Sequence, residues 1–174
     1  MVDGSRSGRR ILGLDPGSRF TGYGVVDRKG SRCHHVAHGR LVPPKGQPLT
    51  ERLAFLAQGL ERVLADYRPD TVACEGLYHG LNPRSLIVLA QARGALLATV
   101  GQFGLEVFEF SPSQIKAAVV GHGRADKTQI GHMVRLVLGL GNQKISEDAG
   151  DALATAICAA EHRRFEGLVA SAKR

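Results

Sequence analysis

The chain has 174 residues, of which 43% are hydrophobic and 22% charged, and this suits one soluble globular domain. No apolar run approaches the ~18 residues of a membrane-spanning helix, and we expect a cytoplasmic protein with reduced thiols at Cys33, Cys74 and Cys158. The net charge of +7 favours a polyanionic partner, most commonly nucleic acid, although many basic proteins bind none.

The two ends of the chain differ from the part between them. Residues 1–9 are basic and lead into only a short apolar run, which predicts a flexible arm and not a signal peptide. We expect one folded domain over residues 10–164 and a flexible tail over residues 165–174. No internal repeat divides the domain.

The first half of the chain begins with strands. Residues 9–44 predict three strands, with turns at Pro16-Gly17 and Lys29-Gly30. A helix capped by Thr50 should follow over residues 51–67, because leucines recur there at helical spacing. The segment DTVACEGL (70–77) then predicts a short buried strand.

Helices and strands alternate in the second half of the chain. A helix rich in alanine and leucine is predicted over 83–101, a strand over 105–110, and helices from Ser111 and over 126–140. The last helix should begin after Ser146, whose hydroxyl is a suitable cap. Strands that come first and then alternate with helices indicate an α/β fold with a mixed central sheet.

Four acidic residues fall at the ends of predicted elements. Asp15 and Glu75 each close a strand, and Asp148 and Asp151 lie three residues apart on one face of the last helix. Singly, each has an ordinary explanation, since strand ends often meet solvent and acids favour the first turn of a helix. Together they could converge at one sheet edge, where their repulsion would require cations such as Mg²⁺ or Mn²⁺. Two such ions about 4 Å apart can promote phosphodiester hydrolysis.

Four motifs give the chain a family resemblance. They are GLDPGSRFTGYGVV, ACEGLYHGLNPRSLIVLAQARG, SPSQIKAAVVGHGRADKTQIGHMVR and EDAGDALATAICA. Their order and spacing over residues 10–162 resemble the RuvC family of Holliday junction resolvases. The resemblance implies an RNase H-like fold, with a mixed β-sheet flanked by α-helices, and a homodimer that acts on four-way junction DNA.

The resemblance also implies a catalytic centre. The family's catalytic and metal-binding acids match Asp15, Glu75, Asp148 and Asp151, although some members carry histidine at the position of Asp148. Two Mg²⁺ ions per site are implied, with Mn²⁺ as a substitute. A water would attack the scissile phosphate and leave 5′-phosphate and 3′-hydroxyl ends. The family works with a branch-migration complex of RuvA and RuvB, and it prefers thymine-containing sites.

Four further residues match family positions or lie near the DNA. The resemblance implies that Tyr78 stacks on a base near the crossover, where phenylalanine is the usual residue, and that Lys116 and Lys127 lie near the cleaved backbone. Arg124 is a candidate phosphate contact. Without the resemblance, these residues also have ordinary structural explanations. Tyr78 could be a loop tyrosine that covers the core, and the lysines could be solvated surface residues.

Some residues have interpretations that the sequence leaves open. We predict that Gly17, Gly22 and Gly24 serve tight turns and close approach between the first two strands. The QARG segment suggests helix packing or a dimer contact, while Arg93 could be an ordinary surface charge. The histidines at 79, 122 and 132 have no partner at metal-site spacing and are left out of the catalytic set.

Three other classes of protein compete with a resolvase. An actin-like or sugar-kinase-like ATPase shares such a sheet, but it needs two domains and this chain has room for one. A non-catalytic DNA-binding module of the same fold could dispense with the acids. Another RNase H-like nuclease would keep the acids but not the full order of motifs. We therefore predict a structure-specific endonuclease of homologous recombination and DNA repair.

Overall fold

A computed structural model describes residues 8–76 and 82–172, with side chains as far as His162. The central sheet has five strands in the order β3-β2-β1-β4-β5. They are Arg9–Asp15 (β1), Thr21–Lys29 (β2), Arg32–Leu41 (β3), Thr71–Glu75 (β4) and Val107–Phe110 (β5). The β1–β2 and β2–β3 pairs are antiparallel and the β1–β4 and β4–β5 pairs are parallel, so the predicted mixed sheet is confirmed.

Helices cover both faces of the sheet. They are Leu49–Tyr67 (α1), Pro83–Gln102 (α2), Pro112–Val120 (α3), Lys127–Leu138 (α4) and Glu147–Ala172 (α5). Helices α1 and α2 contact each other over one face, whereas α5 lies on β1 and β2 over the other and contacts α3 and α4. None of these helices is long and apolar enough to cross a membrane.

The two faces of the sheet belong to two separate hydrophobic cores. Successive side chains of a strand point to opposite faces, so the β1 residues Leu12 and Leu14 face α1 and α2. Ile11 and Gly13 alternate with them and face α5, as does Asp15. Each core contains residues that are fully buried, and the sheet is therefore held from both sides.

The ends of the helices agree only partly with the sequence predictions. The Ser146 hydroxyl accepts the Ala149 N–H at 3.3 Å, which confirms it as the cap of α5. The prediction for Thr50 is wrong, because α1 begins at Leu49 and the residue before it is Pro48. The α5 backbone continues into the predicted tail and ends at Ala172. The flexibility of residues 165–174 stays a prediction, and residues 1–7 of the proposed arm lie outside the described residues.

Candidate active site

Two of the acids lie side by side because two strands are parallel neighbours. Asp15 is the last residue of β1 and Glu75 the last of β4. Their preceding residues, Leu14 and Cys74, pair directly in the parallel register. Both acidic side chains are half-buried, at the carboxyl edge of the sheet. The chain therefore brings these two carboxylates together through backbone pairing alone.

Glycines in the sheet allow α5 to bring the other two acids close. A Cβ atom on Gly22 would lie 2.0 Å from the backbone oxygen of Asp148, and one on Gly13 would lie 2.0 Å from that of Ala152. Such contacts are impossible for any side chain, so the helix can rest this closely only on glycine. Asp15 pairs with Gly22 across β1 and β2, and this places Asp148 above the end of β1.

The helix contact also corrects the interpretation of the glycines. Gly22 was expected to serve close approach between the first two strands, as was Gly24. Their missing side chains instead leave room for α5, since a Cβ on Gly24 would lie 2.7 Å from the side chain of Leu153. Gly17 does serve a turn, because its Cβ would lie 2.3 Å from the oxygen of Phe20.

The acids repel one another, and the pKa of Asp15 shows it most clearly. The pKa of the Asp15 carboxyl is raised to about 7, first by burial and then by the negative charges of Asp151 and Asp148. Glu75 adds a smaller effect in the same direction, while Lys127 opposes it. Because Coulomb effects weaken with distance, Asp151, Asp148 and Glu75 all lie near Asp15.

The pKa values of two more acids change in the same direction. Burial, with the negative charge of Asp151 second, raises the pKa of Glu75 above its usual value. Burial is also the main reason why the pKa of Asp151 is raised, although Lys127 partly offsets it. The site carries more negative charge than its own lysines neutralise, which favours the binding of additional cations.

Two basic residues already contact the acids. The Arg40 Nε atom lies 2.9 Å from Oδ2 of Asp148, and the Lys127 Nζ atom lies 3.9 Å from Oδ2 of Asp151. Lys127 also donates a short hydrogen bond to Glu147. Arg40 was not among the predicted site residues. The feature that could have identified Arg40 is the strand register, which pairs it with Gly22 on the face of the sheet that α5 covers.

The two predicted phosphate-contacting lysines line one cavity together with two of the acids. This cavity of about 240 Å³ is bordered by Glu75, Asp151, Lys116 and Lys127. Lys116 projects from α3, and Lys127 is the first residue of α4. The positive charge of Lys116 lowers the pKa of Glu75, as does that of Lys127. Acids and bases from four elements thus meet around one opening.

The remaining residues named from the sequence do not line this cavity or lie outside the described residues. Arg124 is exposed between α3 and α4 and makes no ion pair within the described part of the chain. Tyr78 and His79 lie outside the described residues, so the stacking role stays a prediction. Arg93 is not an ordinary surface charge: its side chain is 11% exposed and its Nη2 atom lies 2.8 Å from Oε2 of Glu109.

The donor set fits a hard divalent cation. Carboxylate oxygens are the ligands that Mg²⁺ and Mn²⁺ prefer, and Asp15, Glu75, Asp148 and Asp151 supply only such oxygens. Across residues 8–76 and 82–162, no three acidic, histidine or cysteine side chains are grouped closely enough to hold one metal ion. Side-chain rotation of Asp148 away from Arg40, and of Asp151 away from Lys127, would be needed to surround an ion.

A mixed sheet covered by helices, with acids at the ends of β1 and β4, is the architecture of RNase H-like proteins. The family model for the crossover junction endodeoxyribonuclease RuvC matches residues 11–159. The chain belongs to the RuvC family.

Individual relatives agree with this assignment. The chain is 50% identical over 149 residues to the crossover junction endodeoxyribonuclease RuvC of Alkalilimnicola ehrlichii, covering 86% of this chain and 89% of that protein. It is 41% identical over 170 residues to that of Rubrobacter xylanophilus, covering 98% and 95%. The structure of T. thermophilus RuvC in complex with a Holliday junction substrate matches with a TM-score of 0.86 and 30% identity, covering 91% of this chain and 96% of that one.

Proposed function

We propose that this protein resolves four-way DNA junctions by paired, metal-dependent nicks in homologous recombination and DNA repair. The observation that carries the proposal is the convergence of four carboxylates at one edge of the sheet of a RuvC-family chain. A non-catalytic DNA-binding module would have no use for acids whose burial and mutual repulsion raise the pKa of Asp15 to about 7.

The acids are proposed to hold Mg²⁺, two ions per site, with Mn²⁺ as a substitute. Divalent ions bound there would supply Lewis-acid chemistry, activating a water and stabilising the leaving oxygen of the phosphodiester. Asp15 and Glu75 are fixed by the sheet, and Asp148 and Asp151 by α5, so rigid elements orient the ligands.

The lysines are proposed to hold the DNA backbone at the acids. Lys116 and Lys127 border the same cavity as Glu75 and Asp151, so a phosphate there would meet positive charge. Arg124 and Tyr78 are proposed contacts farther along the DNA. Lysine contacts of this kind place the scissile phosphate within reach of the ligated ions and neutralise developing negative charge.

A homodimer would supply two such sites related by two-fold symmetry, which paired nicks of matching polarity require. Helix α2 supports this proposal with an exposed face of apolar and small residues. Ile87 is 60% exposed on it, and Ala90, Gly94 and Ala98 are exposed on the same side at helical spacing. A second copy of α2 could pack closely against such a face. Partnership with RuvA and RuvB, a thymine preference and a cytoplasmic location belong to the same proposal.

A nicking assay on a synthetic mobile four-way junction tests the proposal. Wild-type protein is run with Mg²⁺, with Mn²⁺ and with chelator, beside an RNA–DNA hybrid and an ATPase assay. Symmetric nicks that need metal and leave 5′-phosphate ends are expected. Preferential cleavage of the hybrid would assign another RNase H-like activity, ATP hydrolysis would revive a kinase-like function, and no cleavage under any metal would refute the proposal.

A further inference from the structure

A second cavity lies beside the acids and has no role in the function proposed above. It has a volume of about 440 Å³ and is formed by the turn before β2 and by the loop between β3 and α1. Phe20 is 41% exposed and Val42 is 49% exposed at its wall, with two prolines between the strand and the loop. An exposed aromatic ring and aliphatic neighbours form a surface on which a flat ring can stack.

Among the described residues that line this cavity, every charged one is basic. They are Arg19, Lys45 and Arg52. Arg19 and Lys45 have no ion-pair partner among the residues that the structure describes. The guanidinium of Arg52 donates from Nε to the Ser18 oxygen at 3.0 Å and so holds the turn that carries Phe20. The cavity therefore suits an anion with an apolar ring.

A glutamine side chain in this cavity has an oxygen with no hydrogen-bond partner among the described residues. Gln47 lines it, and the buried Oε1 atom of Gln47 accepts no hydrogen bond from the described residues. Buried acceptors usually have a donor, since an unsatisfied one is costly. A base carries amino and ring N–H groups that can donate to this oxygen once the Gln47 side chain turns it into the cavity.

Two contacts join the cavity to the acids. The Arg40 guanidinium lies over the Phe20 ring, with its Cζ atom 4.1 Å from the centroid. The same guanidinium pairs with Asp148 at 2.9 Å. The cavity is thus one side chain away from the carboxylates, and Phe20 remains 41% exposed beside Arg40. A DNA strand whose phosphate lies at the acids would pass over the cavity with its next nucleotides.

We propose that this cavity binds a nucleotide of the cleaved strand, next to the scissile phosphate. The base stacks on the exposed Phe20 ring and pairs with the Gln47 amide, whose side chain turns toward it, while Arg19 and Lys45 hold the adjoining phosphates. The proposal rests on the proposed nuclease function and adds to it a specificity-determining subsite. It requires the junction to be locally unpaired there, so that one base can leave the stack.

A four-way junction with 2-aminopurine at single positions around the wild-type nick tests the subsite. Binding is measured in chelator, so that no strand is cut. Wild type should change the fluorescence of the probe at one or two positions, and Phe20→Ala should abolish that change and weaken binding about fivefold or more, since stacking on an aromatic ring contributes ~1–3 kcal/mol per base. Lys45→Ala should reduce the slope of log K against log salt by about 0.7.

Matched controls separate the subsite from a general loss of structure or charge. Phe103 is 44% exposed at the end of α2, and Lys29 is exposed at the far end of β2. Phe103→Ala and Lys29→Ala should bind the junction and change the probe fluorescence like wild type. If Phe20→Ala matches Phe103→Ala, and Lys45→Ala matches Lys29→Ala, while wild type nicks the junction, the subsite is refuted and the function stands. If wild type nicks no junction with any metal, the proposed function itself fails.

Discussion

The two faces of the sheet are built from residues of opposite size. The face toward α1 and α2 carries Leu12, Leu14 and Val25, all fully buried, and these side chains keep the helices at ordinary packing distance. The face toward α5 has Gly13 and Gly22 at the corresponding places, and there the helix backbone touches the sheet. The face toward α1 and α2 supplies hydrophobic stability. The face toward α5 has glycines without side chains, so the acids on α5 can lie close to the acids on the strands.

The face of the sheet toward α5, here called the glycine face, also changes along its length. Its far end carries Ile11 and Val26, which are buried against α5, its middle carries Gly13, and its near end carries Asp15. The bulky end anchors the helix in the core, and the glycines let it settle over the acids. The site is therefore a product of packing, and changes to packing should alter it in ways that differ between the two faces.

The largest effect is expected from a change that removes a charge and no packing. Asp15→Asn should reduce nicking by at least about a thousandfold, because the proposed metal site loses a ligand. Junction binding should remain close to wild type, since a negative charge is lost. Gel-shift and nicking assays on the same preparation measure both. Nicking that persists in Asp15→Asn protein would remove Asp15 from the catalytic set.

Filling the glycine face should cost both stability and activity. Gly22→Ala puts a methyl group 2.0 Å from a backbone oxygen of α5, and we expect a loss of about 3 kcal/mol or more in the free energy of unfolding. Urea denaturation measures this loss. Gly131→Ala is the control, because a Cβ there meets nothing within 4 Å and alanine favours a helix. Equal stability of the two variants would contradict the close contact with α5.

Emptying the opposite face should cost stability alone. Leu60 of α1 is fully buried against the leucine face, and Leu60→Ala should destabilise the fold by about 3 kcal/mol through the cavity that it leaves. Nicking per folded molecule should stay near wild type, because no acid moves. A loss of specific activity as large as that of Gly22→Ala would show that the two faces do not have separate tasks.

The burial of Asp15 and its repulsion by the other acids predict a dependence of stability on pH. The folded-state pKa of Asp15 is about 7 and its ordinary value is 3.8, so the folded protein binds a proton that the unfolded chain releases. Stability in chelator should therefore fall as the pH rises from about 4 to about 7, by up to about 4 kcal/mol. Asp15→Asn should flatten this decline in thermal melts, whereas an unchanged decline would assign it to other groups.

The smallest effect is expected at the ion pair on the rim of the site. Arg40→Gln removes the partner of Asp148, but the pair is partly exposed, and we expect less than about 1 kcal/mol in the free energy of unfolding. Chemical denaturation of Arg40→Gln beside Arg28→Gln, at the other end of the sheet, compares the two positions. A loss of several kcal/mol would mean that Arg40 is a structural requirement of the glycine face.

The sequence predicted those features that local pattern determines. Apolar runs and turn residues placed Asp15 and Glu75 at strand ends, and the spacing of Asp148 and Asp151 placed them on one helix face. The sequence did not predict the register of the strands, because the pairing of β2 with β3 shifts by one residue between Val25 and Val26. That register decides that Arg40 lies beneath α5.

Long-range packing explains the other differences. No local signal tells a glycine that faces a neighbouring strand from one that faces a helix 126 residues later, as Gly22 and Asp148 do. Arg93 looked like a possible surface charge because helix α2 is apolar nearly all round and gives no clear inner side. Its contact with Glu109 depends on how α2 lies over β5.

Binding of Mn²⁺ followed by electron paramagnetic resonance tests the central claim most directly, because it needs neither DNA nor turnover. Wild type, Asp15→Asn and Gly22→Ala are titrated at equal folded fraction, with Leu60→Ala as the packing control. We expect wild type and Leu60→Ala to bind alike and both Asp15→Asn and Gly22→Ala to bind at least tenfold more weakly. Equal Mn²⁺ affinity in all four proteins would contradict a metal site assembled by the glycine face.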